Sequence, residues 1–423
     1  MHVCVVGLGY IGLPTSVVIA RSGIMVSGYD VNEGLVGEIA RGRTLIEEEG
    51  LKEALEDALD SGKLSVSTSI DSDASVYVVA VSTSMKDDEH AIDLRALKGA
   101  VSDIGKTLKK GDLIIIESTV IPGTTENVVL PLLEEQSSMR CCEDFFLAFC
   151  PERVLPGDLM RELIENDRII GGMDEKSALL ARDFYANYVK GELHITDART
   201  AEMAKLMENT YRAVNIALAN EMALIAEKYG ADIHEAIDMA NNHPRVNIHR
   251  PGPGVGGYCL TKDPWFLIEN YDDSVIIRDS LLINESMPDT VVSILEDELK
   301  SAGKELKGSK VAVLGIAYKG NVSDPRESPG YEILLRLREK GADAVAHDPY
   351  VVEYMGIRPE KALEDAVKGA DAVVLVTGHD VYRRADWEKL AGLAKEAAVF
   401  VDTRYILPES IAGHKVRKLG VGR

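Results

Sequence analysis

The stretch "HVCVVGLGYIGLPTSVVIARSGIMVSGYD", from His2 to Asp30, limits the fold more than any other. An apolar strand leads into a glycine-rich turn, an amphipathic helix runs to about Ser22, and a second apolar strand ends at Asp30. Strand, turn, helix and strand form a βαβ unit, which opens a doubly wound parallel sheet with helices on both faces. Gly7, Gly9 and Gly12 spell G-x-G-x-x-G at the strand-to-helix turn. Gly7 permits the turn, Gly9 lets the backbone approach a pyrophosphate, and Gly12 allows the helix to pack closely on the strand. The helix N-terminus supplies free N–H groups and a positive dipole end. A bare glycine motif is often coincidental, but here strand, helix and terminal acid are in register. Asp30 can accept from both ribose hydroxyls and repels a 2′-phosphate, so the expected cofactor is NAD rather than NADP.

The apolar runs "VYVVAVS" and "DLIIIEST" extend the same sheet. From Thr196 to Tyr229 the pattern changes to a long helix without breakers, and helical patterning continues to about residue 300. "SAGKELKGSK" punctuates the chain before "KVAVLGIAYKG", another strand with a glycine turn. Strands at "ADAVAHD", "DAVVLVT" and "AVFVDTR" then alternate with helical stretches, and Asp348 ends the second strand as Asp30 does in the first half. The expected fold is α/β: two Rossmann-like doubly wound domains joined by a central helical domain with a long helix. The expected boundaries are 1–195, 196–305 and 306–423, an ordinary subdivision for 423 residues.

Lys plus Arg number 47 against 69 Asp plus Glu, a net charge of -22. That balance argues against non-specific nucleic-acid binding, so anionic ligands need local lysines and arginines. No apolar run has the length of a bilayer span and the N-terminus lacks the basic lead-in of a signal peptide; a cytoplasmic protein is expected. The five cysteines form no C-x-x-C pair and no His-spaced zinc pattern, so no metal is expected and the thiols should be reduced. Cys4, Cys141, Cys142 and Cys150 read as small buried hydrophobes.

Cys259 differs. It follows "GPGVGGY", in which Gly252, Gly254, Gly256 and Gly257 suit tight turns or a close approach, and it precedes Lys262 and Asp263. A thiolate with access to a carbonyl carbon, beside a nicotinamide, suggests oxidation of an aldehyde through a covalent thiohemiacetal and thioester. A structural cysteine is the alternative. On the long helix Lys205 and Asn209 stand four residues apart, with Arg212, Ile216 and Asn220 on the same stripe. They could reach one substrate oxygen, or Lys205 could simply pair with Glu202 on a solvated face. "CPERVLPG" places Glu152 and Arg153 after the apolar "FFLAF", where a strand end meets ligand in doubly wound sheets; a rim carboxylate is equally compatible.

The chain resembles the UDP-glucose/GDP-mannose dehydrogenase family over its whole length, through "GLGYIGLPTS", "ESTVIPGTT", "PERVLPG", "RTAEMAKLMENTYRAVNIALANE", "GPGVGGYCLTKDPWF" and "VAVLGIAYKGNVSDPRESP". "CPERVLPGDLMRELIENDRIIGG" and "HPRVNIHRPGPGVGGYC" look closest to members that oxidise a UDP-linked N-acetylmannosamine, with UDP-N-acetylglucosamine or UDP-glucose as the alternative. The resemblance implies a four-electron oxidation at C6 with two NAD in succession. Cys259 matches the family nucleophile, Lys205, Asn209 and Asp263 the residues that steer proton and water, and Glu152 the glutamate that assists thioester hydrolysis. Gly7, Gly9, Tyr10, Ile11, Gly12, Asp30, Thr83 and Thr119 match the cofactor side. The substrate side would include Glu152, Arg153, Lys205, Asn209, Arg212, Arg245, His249, Arg250, Gly252, Gly256 and Tyr258, with Lys319 and Arg326 around the uridine diphosphate. For Arg326 a local ion pair with Asp324 or Glu327 is the alternative. A homodimer along the long helix is also implied. Tyr258 and Lys262 depart from close relatives, which usually carry histidine and often valine there, and Ser82-Thr83-Ser84 replaces a P-T-P turn.

Overall fold

The computed structural model describes residues 1–44, 46–86, 91–155 and 157–422. In the strand His2–Val6, Val3 and Val5 join the core on one face of the sheet while Cys4 and Val6 join the core on the other. Period-two alternation with both faces apolar belongs to an inner strand covered by helices on both sides. That strand pairs in parallel with Met25–Tyr29 on one side and Val76–Val79 on the other, so the winding direction reverses there. Leu113–Ile116, Phe146–Phe149, Arg168–Gly172 and Leu193–Asp197 continue beyond Val76–Val79, and Leu64–Ser67 closes the other edge. One pair departs from the expected parallel order: Phe146–Phe149 and Arg168–Gly172 run antiparallel.

The second sheet repeats the device. Lys310–Leu314 lies between Asp343–His347 and Ala372–Leu375, followed by Val399–Asp402 and Lys415–Lys418, all parallel. Val311 and Val313 face one core, Ala312 and Leu314 the other. The helix Ile276–Ser301 adds Val291, Leu295 and Leu299 to the first of these cores.

The long helix spans Ala198–Tyr229. Ala201, Leu206, Ala213, Ala217 and Ala223 are buried, while Met203, Met207, Tyr211, Leu218, Ile225 and Tyr229 are exposed. The chain divides into two compact units, Met1–Glu208 and Asn209–Arg423, with the boundary inside this helix. Among the described residues no helix is long and apolar enough to cross a membrane, and no group of three or more metal-ligating side chains occurs.

Cys4 and Cys150 are buried as expected, but Cys141 and Cys142 are not core residues. They are half-buried, their Sγ atoms 3.7 Å apart, with Cys142 at φ 67°. The cause is local: they sit in the turn before Phe146–Phe149, where the N–H of Asp144 returns to Arg140 O, rather than in the strand.

Candidate active site

The glycines of the first turn divide their work. A Cβ on Gly7, at φ 95°, would lie 2.9 Å from Ala80 O, and one on Gly12 would lie 1.7 Å from Gly7 O. Those two positions are closed by packing. A Cβ on Gly9 would meet nothing within 4 Å, so open space lies beside the N-terminus of the helix Gly12–Arg21. Asp30 closes the far side, accepting from Leu8 N through Oδ2 and from Asn32 N through Oδ1, each at 2.9 Å. Thr83 Oγ1 donates to Thr119 O at 2.7 Å and Ser118 Oγ to Val81 O, latching two strand ends together. An open cradle at Gly9, a helix terminus and a fixed carboxylate fit a dinucleotide.

Glu152 is held from two sides. Its Oε1 accepts from the N–H groups of Arg153 and Val154 at 2.6 and 3.0 Å, and its Oε2 lies 2.6 Å from Arg168 Nη1. Arg153 pairs with Glu208 at 2.6 Å and donates to Asp167 O. Lys205 is buried, and the pairing with Glu202 does not form: both Glu202 oxygens are engaged by Gly123 N, Thr125 N and the Thr125 hydroxyl.

In the second unit the glycine loop is positioned by a chain of buried amides. Asn220 Oδ1 accepts from Gly252 N at 2.8 Å, Asn220 Nδ2 donates to Asn284 Oδ1, and Asn284 Nδ2 donates to Ala213 O. Cys259 is exposed, and its carbonyl accepts from the N–H groups of Lys262 and Asp263 in the turn that opens the helix Asp263–Ile268. Asp263 is buried and accepts from Asn209 Nδ2 at 2.7 Å, so the long helix and the cysteine turn fix one another. Tyr258 carries the Lys262 ammonium 3.9 Å above its ring centre, and the Arg326 guanidinium at 5.4 Å. Tyr258 and Lys262 therefore touch each other. Burial, with the charges of Asp324 and Cys259, raises the Tyr318 phenol above its ordinary range against the pull of Arg326 and Arg212.

The second sheet carries its own glycine turn. Gly315 is at φ 95°, and a Cβ on Gly330 would lie 2.2 Å from Gly315 O. Ser328 caps the helix Pro329–Glu339, with proline at its start, as the sequence suggests. Asp348 Oδ2 accepts from Ile316 N and Ala317 N at 2.8 and 2.9 Å and lies 3.1 Å from His379 Nε2. Burial alone would raise that carboxyl, but His379 and the backbone donors hold it below the ordinary range. Lys319 is exposed, and Arg326 forms the ion pair with Asp324, through two nitrogens at 2.7 to 3.1 Å.

The UDP-glucose/GDP-mannose dehydrogenase models match along the chain: the NAD binding domain at residues 1–189, the central domain at 199–285 and the UDP binding domain at 312–409. The chain is 44% identical to the UDP-N-acetyl-D-mannosamine dehydrogenase of Methanocaldococcus jannaschii, over 100% of this chain and 97% of that one. A solved UDP-D-ManNAc dehydrogenase from Pyrococcus horikoshii superposes with a TM-score of 0.94 at 41% identity, covering 99% of each chain. A UDP-glucose dehydrogenase from Pyrobaculum islandicum reaches 0.89 at 30% identity, covering 100% of this chain and 98% of that one. The chain belongs to the UDP-glucose/GDP-mannose dehydrogenase family. It is a dehydrogenase with a nicotinamide-cofactor domain and a UDP-binding domain.

Arg250 pairs with Asp238 and donates to His234 O, Arg245 and Arg212 are exposed, and His249 lies edge-on to Tyr211 with its Nε2 buried and without a hydrogen-bond partner among the described residues. The glycines of the cysteine loop face the protein itself. A Cβ on Gly256 would lie 2.5 Å from Glu327 O, one on Gly257 2.7 Å from the Tyr318 ring, and one on Gly252 2.8 Å from Arg404 Nη1. The close approach that the glycine spacing announces is thus met by Tyr318, Glu327 and Arg404. Sequence reasoning missed Arg404, whose Nε donates to Val376 O and whose guanidinium burial brings down to about 10 against the pull of Asp402. It also missed Glu48, which binds the Tyr10 hydroxyl and accepts from Gly157 N. Neither falls in a segment that the glycine turns, the helix stripe or the family resemblance had singled out.

Proposed function

We propose that the chain is a UDP-N-acetyl-D-mannosamine 6-dehydrogenase, oxidising the C6 alcohol to the uronic acid with NAD. One observation carries this reading: full-length likeness at 44% identity to an enzyme of that name. The thiol and its surroundings support the chemistry. Residues 1–195 hold the cofactor, 196–305 carry the thiol and its steering groups, and 306–423 take the uridine diphosphate.

Gly7, Gly9 and Gly12 with Tyr10 and Ile11 cradle the pyrophosphate, Asp30 the ribose and so NAD rather than NADP, and Thr83 and Thr119 line the nicotinamide end. A bound nicotinamide supplies the hydride acceptor for each of the two oxidations. Lys205 and Asn209 orient the C6 oxygen, and Asp263 keeps the Asn209 amide turned by its 2.7 Å hydrogen bond. Cys259 Sγ adds to the aldehyde carbon, passing its proton to the carbonyl oxygen, and the adduct goes on to a thioester. Glu152 takes a proton from water as the water oxygen bonds to the thioester carbon; the C–S bond breaks and Cys259 leaves as thiolate. Lys319, Arg326 and Arg404 compensate the diphosphate. Arg153, Arg212, Arg245, His249, Arg250, Gly252, Gly256 and Tyr258 line the sugar side.

The exposed apolar stripe from Met203 to Tyr229 supports a homodimer along the long helix. A nicotinamide cofactor and an exposed reduced thiol suit the cytoplasm. Purified enzyme should release two NADH for each sugar consumed, with uronate and no free aldehyde in solution. A ratio of one, with aldehyde trapped by hydrazine, contradicts the covalent route.

A further inference from the structure

A group of ionisable side chains is buried around Arg168, whose side chain is 3% exposed. Its Nη1 stands between two carboxylates, 2.6 Å from Glu152 Oε2 and 3.6 Å from Glu117 Oε1. The contact to Glu152 is short but poorly aligned as a hydrogen bond, so one nitrogen serves two anions at an angle to each. Glu117 follows the strand Leu113–Ile116, Glu152 follows Phe146–Phe149, and Arg168 opens Arg168–Gly172. The helix Glu175–Tyr185 presents Tyr185, which donates to Glu117 Oε1 at 2.6 Å; Tyr188 and the buried Cys150 thiol are the other titratable groups that face Glu117.

Two ionised carboxylates against one guanidinium would leave a net negative charge in a largely desolvated site, which low dielectric penalises. The cluster relieves this by keeping one proton. The two carboxylates are unequal hosts. Glu152 accepts two backbone N–H bonds and the nearer guanidinium contact, all of which favour its anion. Glu117 has a side chain 0% exposed and an Oε2 without a hydrogen-bond partner among the described residues. Burial, against the pull of Arg168 and aided by the charge on Glu152, pushes Glu117 up to about 7.

We propose that Glu117 is a positioning residue for Glu152: the two carboxylates share one guanidinium, and the charge on Glu117 decides how firmly Arg168 holds Glu152 in place. The proposal rests on the assignment of thioester hydrolysis to Glu152. With Glu117 neutral, Arg168 Nη1 serves Glu152 alone and holds its carboxylate in place. As pH rises through neutrality Glu117 ionises, competes for Nη1 and adds a like charge. The Glu152 carboxylate is then less tightly held and freer to reach the hydrolytic water.

Infrared difference titration of the full chain tests the shared proton without turnover. A neutral buried carboxyl stretch should be present at about pH 6, vanish as pH rises through about 7, and be missing in Glu117→Gln. In Glu152→Gln its midpoint should fall by about one pH unit, since a like charge has gone. Single-turnover uronate release should rise roughly threefold to tenfold between about pH 6 and 8 in the wild type, and Glu117→Gln should flatten that rise. A missing neutral-acid band, a midpoint unmoved in Glu152→Gln, or an unchanged pH profile in Glu117→Gln overturns the proposal. Full-rate release by Glu152→Gln overturns the role of Glu117 through the assignment it rests on, while the infrared midpoints still report on the shared proton.

Discussion

At the scale of single residues, the proposed chemistry concentrates on a thiol that is exposed while its neighbours are locked. Asp263 is buried on Asn209, and the Cys259 carbonyl holds the turn. Cys259→Ala should therefore cut uronate formation by about three orders of magnitude or more while leaving NAD affinity nearly unchanged, because cofactor cradle and thiol stand on different segments. Isothermal titration with NAD beside a product assay checks this, and a comparable loss of NAD affinity would make Cys259 a structural residue. Spacing left Cys259, Lys205 and Asn209 open, and the family resemblance pointed to them together with Asp263. The sequence alone had no access to the role proposed for Glu117, which depends on the three-dimensional meeting of Arg168 and Glu152. Nor could it place Cys141 and Cys142 outside the core, because apolar neighbours in a turn look like apolar neighbours in a strand.

At the scale of elements, the two glycine turns with their terminal aspartates were legible because each combines a strand, a helix and an acid in one short span. The inner strands were legible as continuous apolar runs. Two of the edge strands were not. Lys415–Lys418 reads "KVRK", and Leu64–Ser67 reads "LSVS", since a strand covered on fewer sides needs fewer apolar residues. The antiparallel turn-back at Arg168–Gly172 also lacks a local signature, and it is the element that brings Arg168 to Glu152. The cysteine loop gives a direct test of what its glycines do. Gly257 is at φ 85°, and a Cβ there would press on the Tyr318 ring. Gly257→Ala should cost about 2 to 3 kcal/mol of stability in denaturant unfolding, from backbone strain and overlap together. Adding Tyr318→Ala should return part of that loss, giving a double variant less destabilised than the sum. Strict additivity would mean that the ring is not what Gly257 accommodates.

At the scale of the whole molecule, the acidic surface with its net charge of -22 confines anion binding to a few built sites, and the long helix displays an apolar stripe that a lone chain leaves wet. Each large apolar side chain buried in an interface contributes about 1.5 to 3 kcal/mol, so Leu218→Asp with Ile225→Asp should convert dimer to monomer in light scattering at micromolar concentration. A wild type that is monomeric at every concentration, or a double variant that stays dimeric, contradicts the helix-to-helix interface. Likeness is higher to the mannosamine enzymes than to the UDP-glucose dehydrogenase, 41% against 30% identity in solved structures of similar shape. A pocket built for a 2-acetamido group leaves polar groups unpaired when UDP-glucose enters, at a cost of about 2 to 4 kcal/mol. The deciding measurement is kcat/KM for UDP-N-acetylmannosamine, UDP-N-acetylglucosamine and UDP-glucose, taken side by side on the purified protein with NAD. The manno sugar should lead UDP-glucose by at least about tenfold and also exceed its gluco epimer; a clear preference for either of the other two would contradict the assignment.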